Sequence, residues 1–413
     1  MCAIPIAYAS YNHRTEGPSS LTLAGMTTDS IDLLLSPAGQ ELLTRLAAEA
    51  LTSENELRTI TQLRKQYDPA LVTAAVQQIK LRARAREKFS RADAMYFTRD
   101  GLEQASTERM GAHHADRFRD LGAMAELCTG IGGDLIALAS GREVRAVDLD
   151  PVHLRLAKLN ADVYGVGDRV QTVLADVRDV SLDGTRAVFI DPARRTDGRR
   201  LRPGESEPPL EWCTALVNRV AAVGIKAGPT LPDDLVPRGW EMELVSERGE
   251  LKEAVLWSPT LATTTRRATV LPAGATMIHE PGPDVDVREP GAFLIDPDPA
   301  ITRAGLVEEL ARSLGACWKI DSRIAFLSSD AKLETPFGRT LAIQASMPWS
   351  LSRLKSELRA RDIGVVDIRK RGSAVDVDDL HRRLRLSGDQ SAIVVLTRAA
   401  DKPWMLICEA IRR

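Results

Sequence analysis

The sequence predicts an α/β protein with a mostly parallel central sheet, a helical domain before it and small α+β domains after it. Three observations lead there. Residues 125–150, AELCTGIGGDLIALASGREVRAVDLD, read as strand, glycine turn, helix, strand and terminal acid. Short β-rich runs, RVQTVLAD and TRAVFID, follow after a helical stripe, the alternation expected of parallel strands joined by crossovers. Helical periodicity fills the chain before this block, and a Pro/Gly/Asp-rich stretch, HEPGPDVDVREPG, separates it from a smaller-scale pattern behind.

The chain has 413 residues, enough for two to four domains. It is 44% hydrophobic and 27% charged, so a large core is expected. Its net charge of −2 says nothing about partners, and charge must be read locally. The five cysteines form no CxxC pair, which argues against a disulfide framework or a zinc site; no metal is expected. No apolar run reaches the ~18 residues of a membrane span. The first residues lack a basic region followed by a long apolar one, so a cytoplasmic protein is expected. Met26 is an alternative start, with residues 1–25 then disordered.

Residues 26–95 are expected to form the helical domain. Ser36-Pro37 is a cap and first-turn signal before AGQELLTRLAAEALT, NELRTITQLRKQYD is a second helix, and PALVTAAVQQIKLRARAREKF is a third with a basic end. A further helix is expected from Glu103 to about Arg119. His113 and His114 are adjacent and point apart on it, unlike a metal pair at i, i+4. Residues 96–275 form the sheet domain. Gly130 and Gly132 let the backbone turn sharply and let a ligand approach, and the following helix N-terminus favours an anion. Asp148 lies about 20 residues after the turn, where a ribose-binding acid sits in such units. The third strand ends at Asp176 and the fourth at Asp191-Pro192-Ala193-Arg194. GIKAGP is a fifth strand, MELVSERGELKEAVLWS a hairpin turning at Arg248-Gly249-Glu250, and RRATVL an extension of it. Residues 285–335 are read as a small ferredoxin-like domain and 340–413 as a last α+β domain.

The glycine pattern is GxGG rather than the GxGxxG of dinucleotide sites. With Glu126 before it and Asp148 behind, it resembles motifs I and II of class I S-adenosylmethionine-dependent methyltransferases, which implies a Rossmann-like methyltransferase sheet and S-adenosyl-L-methionine as cofactor. Tyr96-Phe97-Thr98, Glu103-Gln104, AELCTGIGGD and AVDLDPVHLRLAKLNADVYG together resemble the trimethylguanosine synthase type of RNA guanine-N2 methyltransferase. That resemblance implies that Phe97, Thr98, Glu126, Gly130, Gly132 and Asp148 line the cofactor site, with Asp176 and Val177 at the adenine. The tail, VVDIRKRGSAVDVDDLHRRLRLSG…AIVVLTR, resembles the THUMP-like domain of bacterial class I methyltransferases, an RNA-binding module.

The acceptor end reads from the residues themselves. Methyl transfer to a base nitrogen is in-line, and a carboxylate with a neighbouring carbonyl can accept the N–H bonds of an exocyclic amine and localise its lone pair. Asp191, with the carbonyl of Pro192 or Ala193, is the candidate catalytic pair. Amino-directed methyltransferases resemble one another in Asp/Asn-Pro-Pro-aromatic here; DPAR lacks the aromatic and is also similar to the DPPR of 5-methyluridine enzymes. Cys213 and Cys128 are read as core residues. Arg194, Arg195, Arg199 and Arg200, with Arg202, form a basic loop suited to RNA phosphates or base stacking. From Arg353 to Arg413 there are 14 Lys/Arg against 9 Asp/Glu, so charge is segregated toward a polyanion-binding tail. The expected function is methylation of a base nitrogen in tRNA or rRNA, with no membrane partner. The alternatives are a small-molecule or protein methyltransferase, and a non-catalytic RNA-binding protein that keeps the cofactor fold. Neither the target nucleotide nor the oligomeric state is encoded in any motif.

Overall fold

The computed structural model describes residues 26–49, 51–52, 54–196, 199–202 and 204–410; the side chains at 195, 196, 199, 200 and 410 lie outside that description. The expectation for residues 1–25 also falls outside it. Two compact units emerge. The first ends at Leu81 and includes Thr98–Asp100, and the second holds the rest, so residues 82–97 belong to the sheet-bearing unit rather than to the expected 26–95 domain.

The first unit is helical: α1 (Thr28–Leu35), α2 (Pro37–Glu49), α3 (Glu56–Leu63) and most of α4 (Pro69–Ala85). Its ends are set by local chemistry. Thr27 caps α1 through Ser30 N, Ser36 Oγ accepts from Gly39 N at the start of α2, and Asp68 Oδ1 accepts from Ala70 N and Leu71 N before α4. Ile31, Leu34, Leu42, Leu46, Leu63 and Val72 form its buried face. The sequence reading had no helix at TDSIDLLL, an eight-residue piece with too few turns to show a period.

The second unit begins with the end of α4, takes α5 (Arg99–Gln104) from Gly101 on, and holds α6 (Glu108–Asp116). The single helix expected from Glu103 is broken because Thr107 caps α6, accepting from Met110 N, and Ser106 turns inward. Then follow β1 (Met124–Leu127), the one-turn α7 (Leu135–Leu138), β2 (Val144–Asp148), α8 (Pro151–Val163), β3 (Val170–Leu174), β4 (Ala187–Ile190), the short β5 (Arg195–Thr196) and β6 (Arg199–Arg200), α9 (Leu210–Ala215), β7 (Ala222–Ala227), β8 (Glu241–Glu247), β9 (Glu250–Trp257), β10 (Arg266–Leu271) and β11 (Ala275–Ile278). Nine of these strands form one sheet in the order β11-β10-β8-β9-β7-β4-β1-β2-β3. The five strands from β3 to β7 are parallel, and β9 runs against both β7 and β8. The strand order reverses between β1 and β4, and α/β sheets bind ligands at the carboxyl ends of such a pair. One face packs Leu127, Val147, Ile190 and Ile225; the other packs Phe118, Phe189, Val255 and Trp257.

The remainder is β12 (Phe293–Pro297), α10 (Pro299–Ala304), α11 (Val307–Leu314), β13 (Trp318–Lys319), β14 (Leu327–Ser329), β15 (Gly338–Pro348), α12 (Leu351–Ala360), β16 (Ile363–Lys370), α13 (Val377–Leu384), β17 (Gln390–Ala399) and β18 (Lys402–Ala410). The segments 285–335 and 340–413, read from the sequence as two domains, share one seven-stranded sheet, β13-β14-β12-β15-β18-β17-β16. The joint is the antiparallel pairing of Phe293–Pro297 with Gly338–Ala342. Meanwhile Ile295, Ile301, Leu306 and Leu310 enter the same apolar cluster as Met242 and Leu244 of the large sheet. Residues 293–314 are thus built into both sheets. Among the described residues no helix is long and apolar enough to cross a membrane.

Candidate active site

The turn after β1 is shaped by left-handed backbone at Cys128 (φ 60°), Gly130 (φ 57°) and Gly132 (φ 87°). Gly132 has a second reason to lack a side chain: a Cβ there would lie 3.1 Å from Ala157 Cα on α8. Asp148, ending β2, ties turn to strand: Oδ2 accepts from Gly130 N at 2.7 Å and Oδ1 from Asp150 N at 2.9 Å. Asp150 in turn caps α8 through Val152 N and His153 N. Asn160 on α8 is fully buried. Its amide accepts from Tyr96 N at 2.9 Å and donates to Tyr96 O at 3.0 Å and Ile131 O at 2.9 Å. One side chain therefore pins the Tyr96-Phe97 backbone to the glycine turn. The sequence carried that signal in NADVYG, but not the role of its first residue.

The expected site residues do not all present side chains. Phe97 is fully buried and packs on Phe89, with ring centroids 6.0 Å apart, so its ring has no surface for a ligand and only its backbone could border one. Thr98 falls in the first unit and is half-buried there. Val177 is buried in the core, leaving its main chain to face a ligand. Asp176 lies two residues past β3 and is bonded by Arg178, through N at 2.9 Å and a guanidinium nitrogen at 3.0 Å. Leu149 and Leu174, at the ends of β2 and β3, are 66% and 58% exposed, which the sequence did not flag. Cys128 and Cys213 are raised thiols, pushed up chiefly by burial, to about 12 in Cys213, so neither is poised as a nucleophile.

Asp191 stands where β4 leaves the sheet, its N–H still bonded to Leu127 O. Its side chain is 31% exposed. Behind it lies a buried polar cluster. Lys226 Nζ donates to Asp191 Oδ2 at 2.7 Å and to Ser106 Oγ at 2.8 Å; Ser106 donates to Asp134 Oδ2 at 2.7 Å. His114 bridges Asp134 (2.7 Å) and Glu253 (2.5 Å). Burial opposes charge on His114, but Glu253 and Asp134 outweigh it and hold the imidazole up at about 10, so it is a cation. Burial likewise opposes charge on Lys226, and Asp191, Asp134 and Glu253 hold it above its ordinary value. Burial pushes the Asp191 carboxyl upward while the Lys226 ammonium pulls it back. Pro192 is buried and Ala193 exposed; Ala193 pairs with Glu207 and closes the base of the arginine loop. Within that loop Arg195 pairs with Arg200 and Thr196 with Arg199, while the side chains of Arg195, Arg199 and Arg200 lie outside the described structure. Arg194 is half-buried, with its guanidinium beside Gly228.

Comparison with known proteins turns this geometry into a family. Two uncharacterized S-adenosylmethionine-dependent methyltransferases from strains of Mycobacterium tuberculosis are 36% identical to the chain over 313 residues, 73% of this chain and 84% of theirs. The chain belongs to the S-adenosylmethionine-dependent methyltransferases. A sequence-family model for RNA cap guanine-N2 methyltransferase matches residues 122–201, a THUMP domain-like model matches 338–410, and a domain of unknown function matches 27–85. The fold agrees with the crystal structure of a putative methyltransferase from Porphyromonas gingivalis, with TM-score 0.68, 20% identity, and coverage of 88% of this chain and 100% of that one.

The methyltransferase has a site that fits its cofactor. Glu126, in β1, is 3% exposed, and among the described residues its Oε2 has no hydrogen-bond partner. Burial, with Asp134 and Asp191 nearby, pushes its carboxyl well above the usual range. A buried carboxyl oxygen of this kind calls for a polar partner beyond the described residues, and the cofactor's α-ammonium is one. The methyltransferase also holds α6 against the sheet by charge. Glu241, Glu243, Glu247 and Glu253 are all buried on β8 and β9. Arg109 meets Glu247 at 2.7 Å, His113 meets Glu243 at 2.8 Å, and Arg117 bonds Glu241. Glu243 is further held by Trp257 Nε1 and Thr269 Oγ1, and His113 and Arg117 keep its carboxyl far below the usual range against the effect of burial.

Proposed function

We propose that the enzyme methylates a base nitrogen in RNA, tRNA or rRNA, with Asp191 and the carbonyl of Pro192 receiving the acceptor. The observation that carries the proposal is Asp191 itself: a carboxylate at the strand-order reversal with one oxygen bonded from behind and the other side partly open. The RNA cap guanine-N2 and THUMP domain-like matches, the arginine loop and the basic tail support RNA as the acceptor. In this reading Glu126, the Gly130–Gly132 turn and Asp148 hold the methionine and ribose ends of the cofactor, and Asp176 with the Val177 backbone holds its adenine. Leu149 and Leu174 supply apolar cover.

The cofactor supplies an electrophilic methyl group on a sulfonium. The chain supplies alignment and charge. Asp191 accepts an N–H of the acceptor, the Pro192 carbonyl takes a second, and the nitrogen lone pair is freed to point in line. As positive charge develops on that nitrogen, Asp191 already faces it. Arg194 and the basic loop that follows it would meet backbone phosphates, and a base in a duplex must be flipped out to reach Asp191.

The test is labelled cofactor with total RNA from a strain lacking the gene, followed by mass spectrometry of nucleosides. Asp191→Ala is expected to lose roughly 100-fold or more in methyl transfer, while S-adenosylhomocysteine binding by calorimetry persists. Full activity in that variant would remove Asp191 from the mechanism. Arg194, half-buried where an aromatic would stack on a base, favours a second reading, a small-molecule or protein acceptor; label in protein or metabolite fractions and none in RNA would select it.

A further inference from the structure

The strand register brings a lysine to the acceptor end of the site. Ile190 of β4 faces Ile225 of β7, so Asp191 and Lys226 follow as neighbours where the pairing ends. Lys226 is 4% exposed. Four acids crowd this region, but its short ionic bond goes to one of them. Asp191 lies at 2.7 Å, whereas Asp134 and Glu253 stand at 3.7 and 3.8 Å. Those two take their short bonds from His114 instead. Ser106, bonded to Asp134, grips the ammonium from behind. A lysine present only to neutralise buried charge would sit among the deepest acids. This one is aimed at the single acid of the set that reaches the surface.

We propose that Lys226 is a positioning residue for methyl transfer: it holds Asp191 ionised and turned so that one oxygen alone faces the acceptor nitrogen. The inference rests on the role proposed above for Asp191. With Oδ2 occupied by Lys226, Oδ1 is left to accept from a nitrogen that carries hydrogen. A protonated Asp191 would offer a donor instead, and that donor would compete for the lone pair that has to attack. The groups facing Asp191 set this balance. Burial, Asp134 before α7 and Glu126 from β1 favour its neutral form; Lys226 from β7 and Arg194 from the loop favour its charge. Lys226 is the cation in direct contact, so its removal tips the balance toward the proton.

The experiment follows Asp191 directly, by NMR of protein carrying 13C-carboxyl aspartate, with the signal assigned by its absence in Asp191→Asn. In Lys226→Met the Asp191 midpoint is expected to rise by about one to three pH units, the usual effect of losing an adjacent opposite charge. Lys226→Arg should bring it back toward wild type. In parallel, kcat for labelling of total RNA should fall roughly tenfold or more, KM for S-adenosylmethionine should hold, and the acidic limb of the pH profile should move up with the midpoint. If Lys226→Met does not fold, Lys226→Met with Glu253→Gln removes the surplus negative charge and carries the same test. An unmoved midpoint in a folded variant overturns the proposal, and so does a moved midpoint with unchanged kcat and pH profile. A moved midpoint in an enzyme whose wild type labels no RNA leaves Lys226 in its role and overturns RNA as the acceptor.

Discussion

A buried carboxyl oxygen without a partner is costly, and Glu126 Oε2 is one among the described residues. Burial and the neighbouring acids raise its carboxyl, so the cofactor-free enzyme favours its protonated form. An ammonium seated against it lowers that value, and the proton must leave. Binding of S-adenosylhomocysteine should therefore release up to about one proton, and affinity should rise with pH until the free enzyme's Glu126 ionises unaided. Calorimetry in two buffers of different ionisation enthalpy reads the release; it should vanish in Glu126→Gln. Equal release in both proteins would place the cation elsewhere. Glu126 and Asp191 were legible as acids at strand ends. Lys226 was not, because its partnership depends on β7 lying beside β4, which no local pattern in GIKAGP encodes.

At the scale of elements, much of the sheet could be read in advance because its strands are short, apolar and bounded by turn residues. The hairpin expected at Arg248-Gly249 forms between β8 and β9, with φ of 55° and 80° at those two residues. The parts that could not be read are those whose partners lie far away in sequence. Asn160 bonds Tyr96 across 64 positions. The basic end of α4 is plain in the sequence, yet Arg82 is buried over the Tyr96 ring and donates to Met95 O, and Lys88, just past it, donates to the carbonyls of Leu102, Glu103 and Ala105. Asn160→Ala should cost about 2–4 kcal/mol in denaturant unfolding, since it strands buried backbone groups on both sides. It should also weaken cofactor binding, because the glycine turn loses its tie. A stability loss with unchanged cofactor affinity would mean that the turn holds its shape without Asn160.

At the scale of the whole molecule, the basic residues of the tail divide into two kinds. Arg369 and Arg371 are committed to Asp296, and Arg371 also lies over Phe326 and donates to Ala325 O, so they serve the sheet. Arg382 and Arg383 are 72% and 59% exposed on α13, and among the described residues their ion pairs go only to Asp379. Arg382→Glu with Arg383→Glu should leave thermal unfolding unchanged and weaken RNA binding, with a shallower dependence on salt as phosphate contacts are lost. Unchanged binding and salt slope would take α13 out of the RNA surface. Composition showed that the tail is basic, but not which arginines are already spoken for, since that depends on a sheet joining residues 296 and 369.

The joint at β12 has a consequence for how length is measured. Its strand belongs to the tail's sheet while Ile295 and the helix that follows pack under the large one, so no flexible tether separates the two. An RNA gripped by the tail would meet Asp191 as an object meets the far mark of a ruler. Only a nucleotide at one set span from the gripped feature would be presented, whatever its neighbours in sequence. RNAs lengthened or shortened by single base pairs between grip and target should move the methyl mark to a new nucleotide or lose it altogether, rather than being modified at the old position with gradually falling yield.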